Sequence, residues 1–374
     1  MQDAMRRTLS LAVPLVLVVA GLAAPATAAT STTGRLTVVA RNLDNPRGVA
    51  IDRAGTVFVA EAGLGGEDVC IPGTFGTNLC YGSTGAITAV RHGWQKRVVT
   101  GLPSLRSTGG GFSVYGAHDL AFDRQGKILV AMGYSTDPVS RDLLGAAGAT
   151  MGTILRVEGK RRWSVVGDLS AFEGQNNPDG VIPESQPYAV VADGRDVYAL
   201  DAAANDVLRI DRRGVVTAEH VWPQEQVPAP PEWGLPPGST TPIQFVPVTI
   251  TRGPDGALYI GQLTGHPFPR GGARVWRLVP GQEPTIYATG FTNIIDLAFD
   301  KRGRLVVLEI AKNGLNSGDS TGALIRVERD GSLRELASTG LDNPMSFAIA
   351  RDGSFYIANK GLGIGELVRL STRD

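Results

Sequence analysis

Six in-phase copies of one hairpin pattern constrain this chain more than any other feature. The segment 48–62 (GVAIDRAGTVFVAEA) recurs at 119–133 (DLAFDRQGKILVAMG) and at 189–202 (AVVADGRDVYALDA), one residue shorter. It recurs again at 249–263 (TITRGPDGALYIGQL), 296–310 (DLAFDKRGRLVVLEI) and 346–360 (SFAIARDGSFYIANK). Each copy is an alternating apolar run, a tight turn with Asp or Gly, and a second run rich in Val, Ile, Tyr and Phe, which is the signature of a hairpin. A third run follows every hairpin, as in ILRVE from Ile154 and LIRVE from Leu324, and a fourth follows in five copies. Four strands per unit, repeated around a ring, make a propeller blade. The expected fold is all-β, a six-bladed β-propeller over residues 35–372. The sixth copy runs out of chain after three strands. Its missing strand is expected at the other end, over residues 35 to 40, where it removes two open edges by closing the ring.

Residues 1–28 read as a signal peptide. Arg6-Arg7 precede an apolar run from Leu9 to Ala24, and Ala26-Thr27-Ala28 supply small residues at the exit. The expected location is therefore secreted, with no membrane anchor. Removing this segment leaves a chain long for one ordinary core, and repeat folds escape that limit because each unit brings its own core. Cys70 and Cys80, the two cysteines of the chain, are expected to form a disulfide that pinches a loop. The 36 basic and 36 acidic residues leave no excess positive charge, which argues against a nucleic-acid partner. A monomer is expected, with a small molecule or another protein as partner.

The insertions are confined. Connections between strands one and two, and between three and four, are tight; long segments lie between strands two and three or between blades. In an antiparallel blade both long classes emerge on one face, so function is expected there. That face includes the loops 63–85, 103–116, 133–152, 171–187, 223–247 and 265–272.

Aligning the copies picks out rings of equivalent positions. Just before strand one stand Asn45, Gly116, Gln186, Val246, Asn293 and Asn343, and three positions on stand Gly48, Asp119, Ala189, Thr249, Asp296 and Ser346. Blades two and five are opposite, so Asp119 and Asp296 are expected to face one another at the tunnel, with His118 beside the first. After strand two the ring is Glu61, Met132, Asp201, Gln262, Glu309 and Asn359. Asp119, Asp296, Glu61, Asp201 and Glu309 are candidate ligands for a hard cation, calcium above all, since carboxylate and amide oxygens suit it. The plainer alternative is structural, because such side chains at strand ends commonly accept backbone N–H bonds, and a role repeated in several blades favours structure. No nucleophile elbow, H-E-x-x-H, C-x-x-C or phosphate loop is present.

The stretch Asp168-Leu169-Ser170-Ala171-Phe172-Glu173, with Asn176-Asn177-Pro178-Asp179-Gly180 and Gln186-Pro187-Tyr188, resembles the ScyD/ScyE family of exported, NHL-like propellers. Gln186 departs from the Asn expected before Pro-Tyr. The resemblance implies fold and export and no particular reaction. His118, Asp119, Glu173, Asn176, Asn177, Asp179, Tyr188, Asn293 and Asp296 are the candidate ligand-face residues. The first expectation is a binding or scaffold protein using this face. The alternative is a calcium-dependent lactonase- or esterase-like hydrolase of the gluconolactonase and paraoxonase type, for which His118-Asp119-Leu120 and Asn293 with Asp296 are a faint match. A quinoprotein dehydrogenase would need a basic, His-lined pocket, and this face offers few such groups.

Overall fold

The computed structural model describes residues 34–67, 69–108 and 113–371. The expected signal peptide, residues 1–28, lies outside the described residues. Each repeat forms a four-stranded antiparallel sheet whose first strand is innermost. Blade two shows the pattern, with strands Ala117–Phe122, Ile128–Met132, Thr153–Gly159 and Arg162–Asp168. Blades three, four and five begin with Pro187–Asp193, Pro247–Arg252 and Ile294–Phe299. Each innermost strand packs on the next, and Ser346–Ile349 of blade six packs back on Pro46–Ile51 of blade one, which closes the ring.

The closing strand is Leu36–Asp44, longer than the expected 35 to 40. It pairs antiparallel with Ile364–Leu370, from Leu36 opposite Leu370 to Asp44 opposite Ile364. Its inward residues Ala40 and Leu43 join Val49, Val57 and Val59 of blade one and Leu367 of blade six in one apolar cluster. The core as a whole is divided this way, into layers trapped between neighbouring blades. The turn aspartates explain the hairpins. Asp52 Oδ1 accepts from the N–H groups of Ala54 and Thr56 at 2.9 and 2.8 Å, and Asp123 and Asp300 do the same in their blades.

Three loops on the elaborated face contain strands: the 223–247 segment holds the hairpin Glu225–Pro228 with Thr240–Ile243, and the other two belong to blade one. Blade one's outer strands, Asn78–Arg91 and Trp94–Thr108, run on past the blade as a ribbon, and Val69–Pro72 adds to its edge. The ribbon buries Ile71, Leu79, Leu102 and Leu105, so stretches that read as Gly-rich loops have a core of their own.

Glu61 ties the clasp to blade one. It is fully buried, its Oε2 accepts from the Asp44 N–H at 2.7 Å, and Arg97 bonds both of its oxygens and also Asp44 Oδ2. Removing the carboxylate leaves the Asp44 N–H and the buried Thr88 hydroxyl without their acceptor and takes one of two carboxylate partners from Arg97. Glu61→Ala is expected to lower the unfolding free energy by about 3 kcal/mol, read from urea denaturation.

Candidate functional site

The loop-rich face holds a cleft of about 600 Å³. Blade one contributes Thr74 and Thr77 from the tip of the ribbon's edge hairpin, and Tyr115 follows from the connection to blade two. Glu184 and Gln186 come from the segment that enters blade three, Gln224 and Gln244 from the segment that enters blade four, and His266 and Phe268 from within blade four. The Cys70–Cys80 disulfide forms as expected and joins two residues directly opposite in the ribbon, which fixes the hairpin that carries Thr74. Thr136 Oγ1 donates to Pro72 O at 3.0 Å, while Thr74 Oγ1 and Ser135 Oγ each donate to Glu184 Oε1 at 3.2 Å. Glu184 therefore braces loops of blades one and two from the entry to blade three. Burial pushes its carboxyl above the usual carboxylate range, and the Ser135 and Thr74 bonds pull it partly back. On the other wall the Trp233 ring stacks on His266 at 5.5 Å.

Below the cleft, the ring of positions three residues into each blade lines the tunnel as expected, and it brings Asp119 and Asp296 together. The space between them is small, about 20 Å³, room for roughly one water. Both carboxylates are committed to neighbouring blades. Asp119 accepts from the N–H groups of Leu120 and of Val190 in blade three, at 2.8 and 2.9 Å. Asp296 accepts from Thr249 of blade four, from Leu297 N–H, and from the hydroxyl of Ser346 and the N–H of Phe347 in blade six. Ser346 Oγ in turn accepts from Val49 N–H of blade one. Burial pushes Asp119 up to about 7, its bond from Val190 opposing and the Asp296 charge adding. Burial also raises Asp296.

His118 lies 3% exposed and stacked on Tyr188, with ring centres 5.0 Å apart. A Cβ on residue 133 would sit 1.6 Å from His118 Nδ1, so the imidazole fills space that only glycine leaves. Burial, then the Arg47 charge, lowers His118 to about 3, so the ring is neutral at physiological pH. Arg47 itself is buried, its guanidinium donating to Val114 O at 3.2 Å and resting against Met345 Sδ, near the phenols of Tyr115 and Tyr188.

The other rings resolve into staples. Besides Glu61, Asp201 accepts from Gln186 N–H at 2.6 Å, Glu309 from Thr292 N–H at 2.6 Å and Asn359 from Asp342 N–H at 2.8 Å. One residue at the end of strand two thus holds the backbone just before strand one in four blades. Burial still pushes Asp201 up to about 6 and Glu309 up to about 7. Asn45, Asn293 and Asn343 sit at φ values of 49°, 50° and 40°, a left-handed conformation asparagine tolerates better than most residues. Asn293 also holds Leu263 O and Leu315 N–H, so it braces loops and does not face the cleft. Among the described residues, no three His, Cys, Asp or Glu side chains are placed to hold a metal ion. The tunnel carboxylates fit a cation poorly, because hydrogen-bond donors already occupy every oxygen.

The motif segment forms a helix, Leu169–Asn176, capped by Asp168 and ended by Asn177 in a left-handed conformation. Asn176 is exposed and turns back on Phe172 O. Glu173 is buried, and burial followed by the Asp201 and Asp179 charges pushes it up to about 8. Asp179 is held by Val181 N–H and the Asn205 amide. None of these four residues lines the cleft. Glu184, Tyr115 and Arg47 do not stand out in the sequence; the one signal was that Glu184 and Tyr115 fall in segments assigned to the elaborated face.

Two outcomes follow from this geometry. A base with a lowered folded pKa stabilises above its ordinary value of 6.5, and that stability is lost as pH falls toward 3. The melting-temperature advantage of the natural protein over His118→Phe is therefore expected to shrink across that window; parallel curves would contradict a buried neutral His118. Replacing both Cys70 and Cys80 by Ser is expected to cost about 2–3 kcal/mol in urea unfolding, the entropy of so short a loop.

Comparison with protein-family models gives no match, and comparison with curated proteins gives none. Solved structures do match along nearly the whole chain. A gluconolactonase from Xanthomonas campestris aligns with TM-score 0.54 at 11% identity, covering 90% of this chain and 89% of its own. A Bacteroides thetaiotaomicron protein of unknown function aligns with TM-score 0.53 at 10% identity, covering 90% and 75%. A streptogramin B lyase aligns with TM-score 0.50 at 14% identity, covering 92% and 100%. At these identities the likeness is one of fold, and the fold is the six-bladed propeller.

Proposed function

We propose that the protein is an exported binding propeller that holds a small, neutral, polyhydroxylated molecule in the cleft of its loop-rich face. The lining of that cleft carries the reading. Three glutamine amides, Gln186, Gln224 and Gln244, and the hydroxyls of Thr74, Thr77, Ser107, Ser113 and Ser135 converge on a space in the size range of small-molecule sites. Amides and hydroxyls both donate and accept, which matches sugar-like hydroxyls, and Tyr115, Phe268 and His266 offer flat faces for a ring. Glu184 is the single carboxylate in the lining, so the cleft has little charge to attract an ion. The disulfide fits an oxidising compartment, in keeping with the expected signal peptide. The resemblance to the ScyD/ScyE family agrees with fold and export.

One observation favours a hydrolase. The Glu184 carboxyl faces the cleft with a raised pKa, a property of general acids, and gluconolactonases are among the proteins that share this fold. The tunnel carboxylates support no metal-assisted step, because their oxygens already accept hydrogen bonds.

A panel of neutral sugars and sugar lactones, screened by thermal shift and calorimetry, separates the two. Saturable binding without product is expected, and Gln186→Ala and Gln244→Ala should each weaken it about five- to tenfold. Lactone turnover that disappears in Glu184→Gln would replace the binding reading with the hydrolytic one.

A further inference from the structure

Among the described residues, the two carboxylates most poorly accommodated are not in the cleft or the tunnel. Glu173, on the helix Leu169–Asn176, is 1% exposed, and Asp206, the first residue of blade three's third strand, is fully buried. None of their four oxygens has a hydrogen-bond partner. The Oδ1 of Asn177 is likewise buried and unpartnered, although its Nδ2 donates to Val181 O at 2.9 Å. The charged groups acting on Glu173 and Asp206 are all acidic: Asp201, Asp179 and, for Asp206, Glu173 itself. The Asp201 backbone N–H favours Asp206 ionisation slightly but lies outside hydrogen-bond geometry. The same chain satisfies its other buried carboxylates thoroughly; Asp201, nearby, accepts from Ser185 Oγ and from three backbone N–H groups.

Leaving a buried carboxylate without a donor costs several kcal/mol, and a second one beside it adds repulsion. Such a pair persists when something positive compensates it. Asp206 feels the Glu173 charge, and the Asn177 N–H donates to Glu173 O at 2.8 Å, so the five unpaired oxygens belong to neighbouring residues and, with no nitrogen or sulfur ligand among them, have the donor chemistry of a hard cation. Asp179 is no part of this donor set, since its oxygens already accept from Val181 N–H and Asn205 Nδ2. The donors come from an irregular helix end, where Asn177 has φ 38°, and from a strand end. Irregular backbone suits the flexible, six-to-eight-coordinate shell of calcium better than the strict octahedron of magnesium. We infer that Glu173, Asn177 and Asp206 form a calcium site that fastens the helix Leu169–Asn176 to the third strand of blade three, with backbone carbonyls and water completing the shell. The site differs from the tunnel carboxylates in that its oxygens are free, and it is independent of ligand binding in the cleft.

The full-length mature protein, stripped with EDTA, is titrated with CaCl₂ and separately with MgCl₂ and followed by calorimetry and thermal melting. One equivalent of Ca²⁺ is expected to bind and to raise the melting temperature by about 3–6 °C at a hundredfold excess over Kd. Glu173→Gln and Asp206→Asn are each expected to melt higher than the natural protein in EDTA at neutral pH, because they remove the cost of keeping a buried carboxyl protonated, and to lose the calcium shift. Asp119→Asn, in the tunnel, is expected to retain it. Absence of calcium heat in the natural protein overturns the site, as does a shift that survives both substitutions. Higher EDTA melting in the variants without calcium binding in the natural protein would make the pair a shared-proton pair instead. An equal response to Mg²⁺ would overturn the choice of ion.

Discussion

Everything in this molecule depends on closing a ring by pairing two strands far apart in the chain, Leu36–Asp44 and Ile364–Leu370. Leu36–Asp44 supplies the outer strand of the last blade, and its register with Ile364–Leu370 completes the sixth sheet. Without it blades one and six would each present an unpaired or unpacked edge, and the apolar layer around Leu43, Val59 and Leu367 would be open to water. The clasp is reinforced where strain would concentrate, by Glu61 and Arg97 joining the closing strand to blade one and by Asn45 holding Gly63 O and Gly363 N–H across the seam.

Inside the ring a second set of bonds does for the inner strands what the clasp does for the outer. Asp119 reaches blade three, Asp296 reaches blades four and six, and Ser346 reaches blade one. These are half-buried or buried polar groups with full sets of partners, the condition under which a polar network makes an interior rigid. The tunnel is thereby narrowed to about one water, and open space for a ligand moves up among the loops, where Glu184 and the disulfide-held hairpin brace the walls. A braced cleft binds with less ordering cost than a mobile one.

The fold was legible because it is written six times. A repeat fixes strand order, turn chemistry and the face that carries insertions, and the positions it aligns, such as Asp119 with Asp296, do meet in space. The same repetition explains why Glu61, Asp201, Glu309 and Asn359 are staples: a position that recurs in most blades serves what every blade needs. The site was harder to read. Glu184 gains its role from Thr74, 110 positions earlier, and from Ser135, contacts that no local pattern announces. The ribbon of blade one was hidden because its glycines and serines look like loop, while its core is formed by apolar residues contributed from three separate strands. Glu173 and Asp179 were visible as a motif, yet their partner Asp206 opens an ordinary-looking strand.

The clasp also places a constraint on time. Asp44 and its partner Ile364 lie 364 − 44 = 320 positions apart, with the strand that needs pairing synthesised first. At ribosomal rates of about 5–20 residues per second, Leu36–Asp44 waits roughly 15–65 s for the strand that completes it. Throughout that interval five blades can form in order while the first strand stays unpartnered. The last sheet to assemble thus contains the earliest-made segment of the propeller, and the ring becomes a closed body only when the end of the chain arrives.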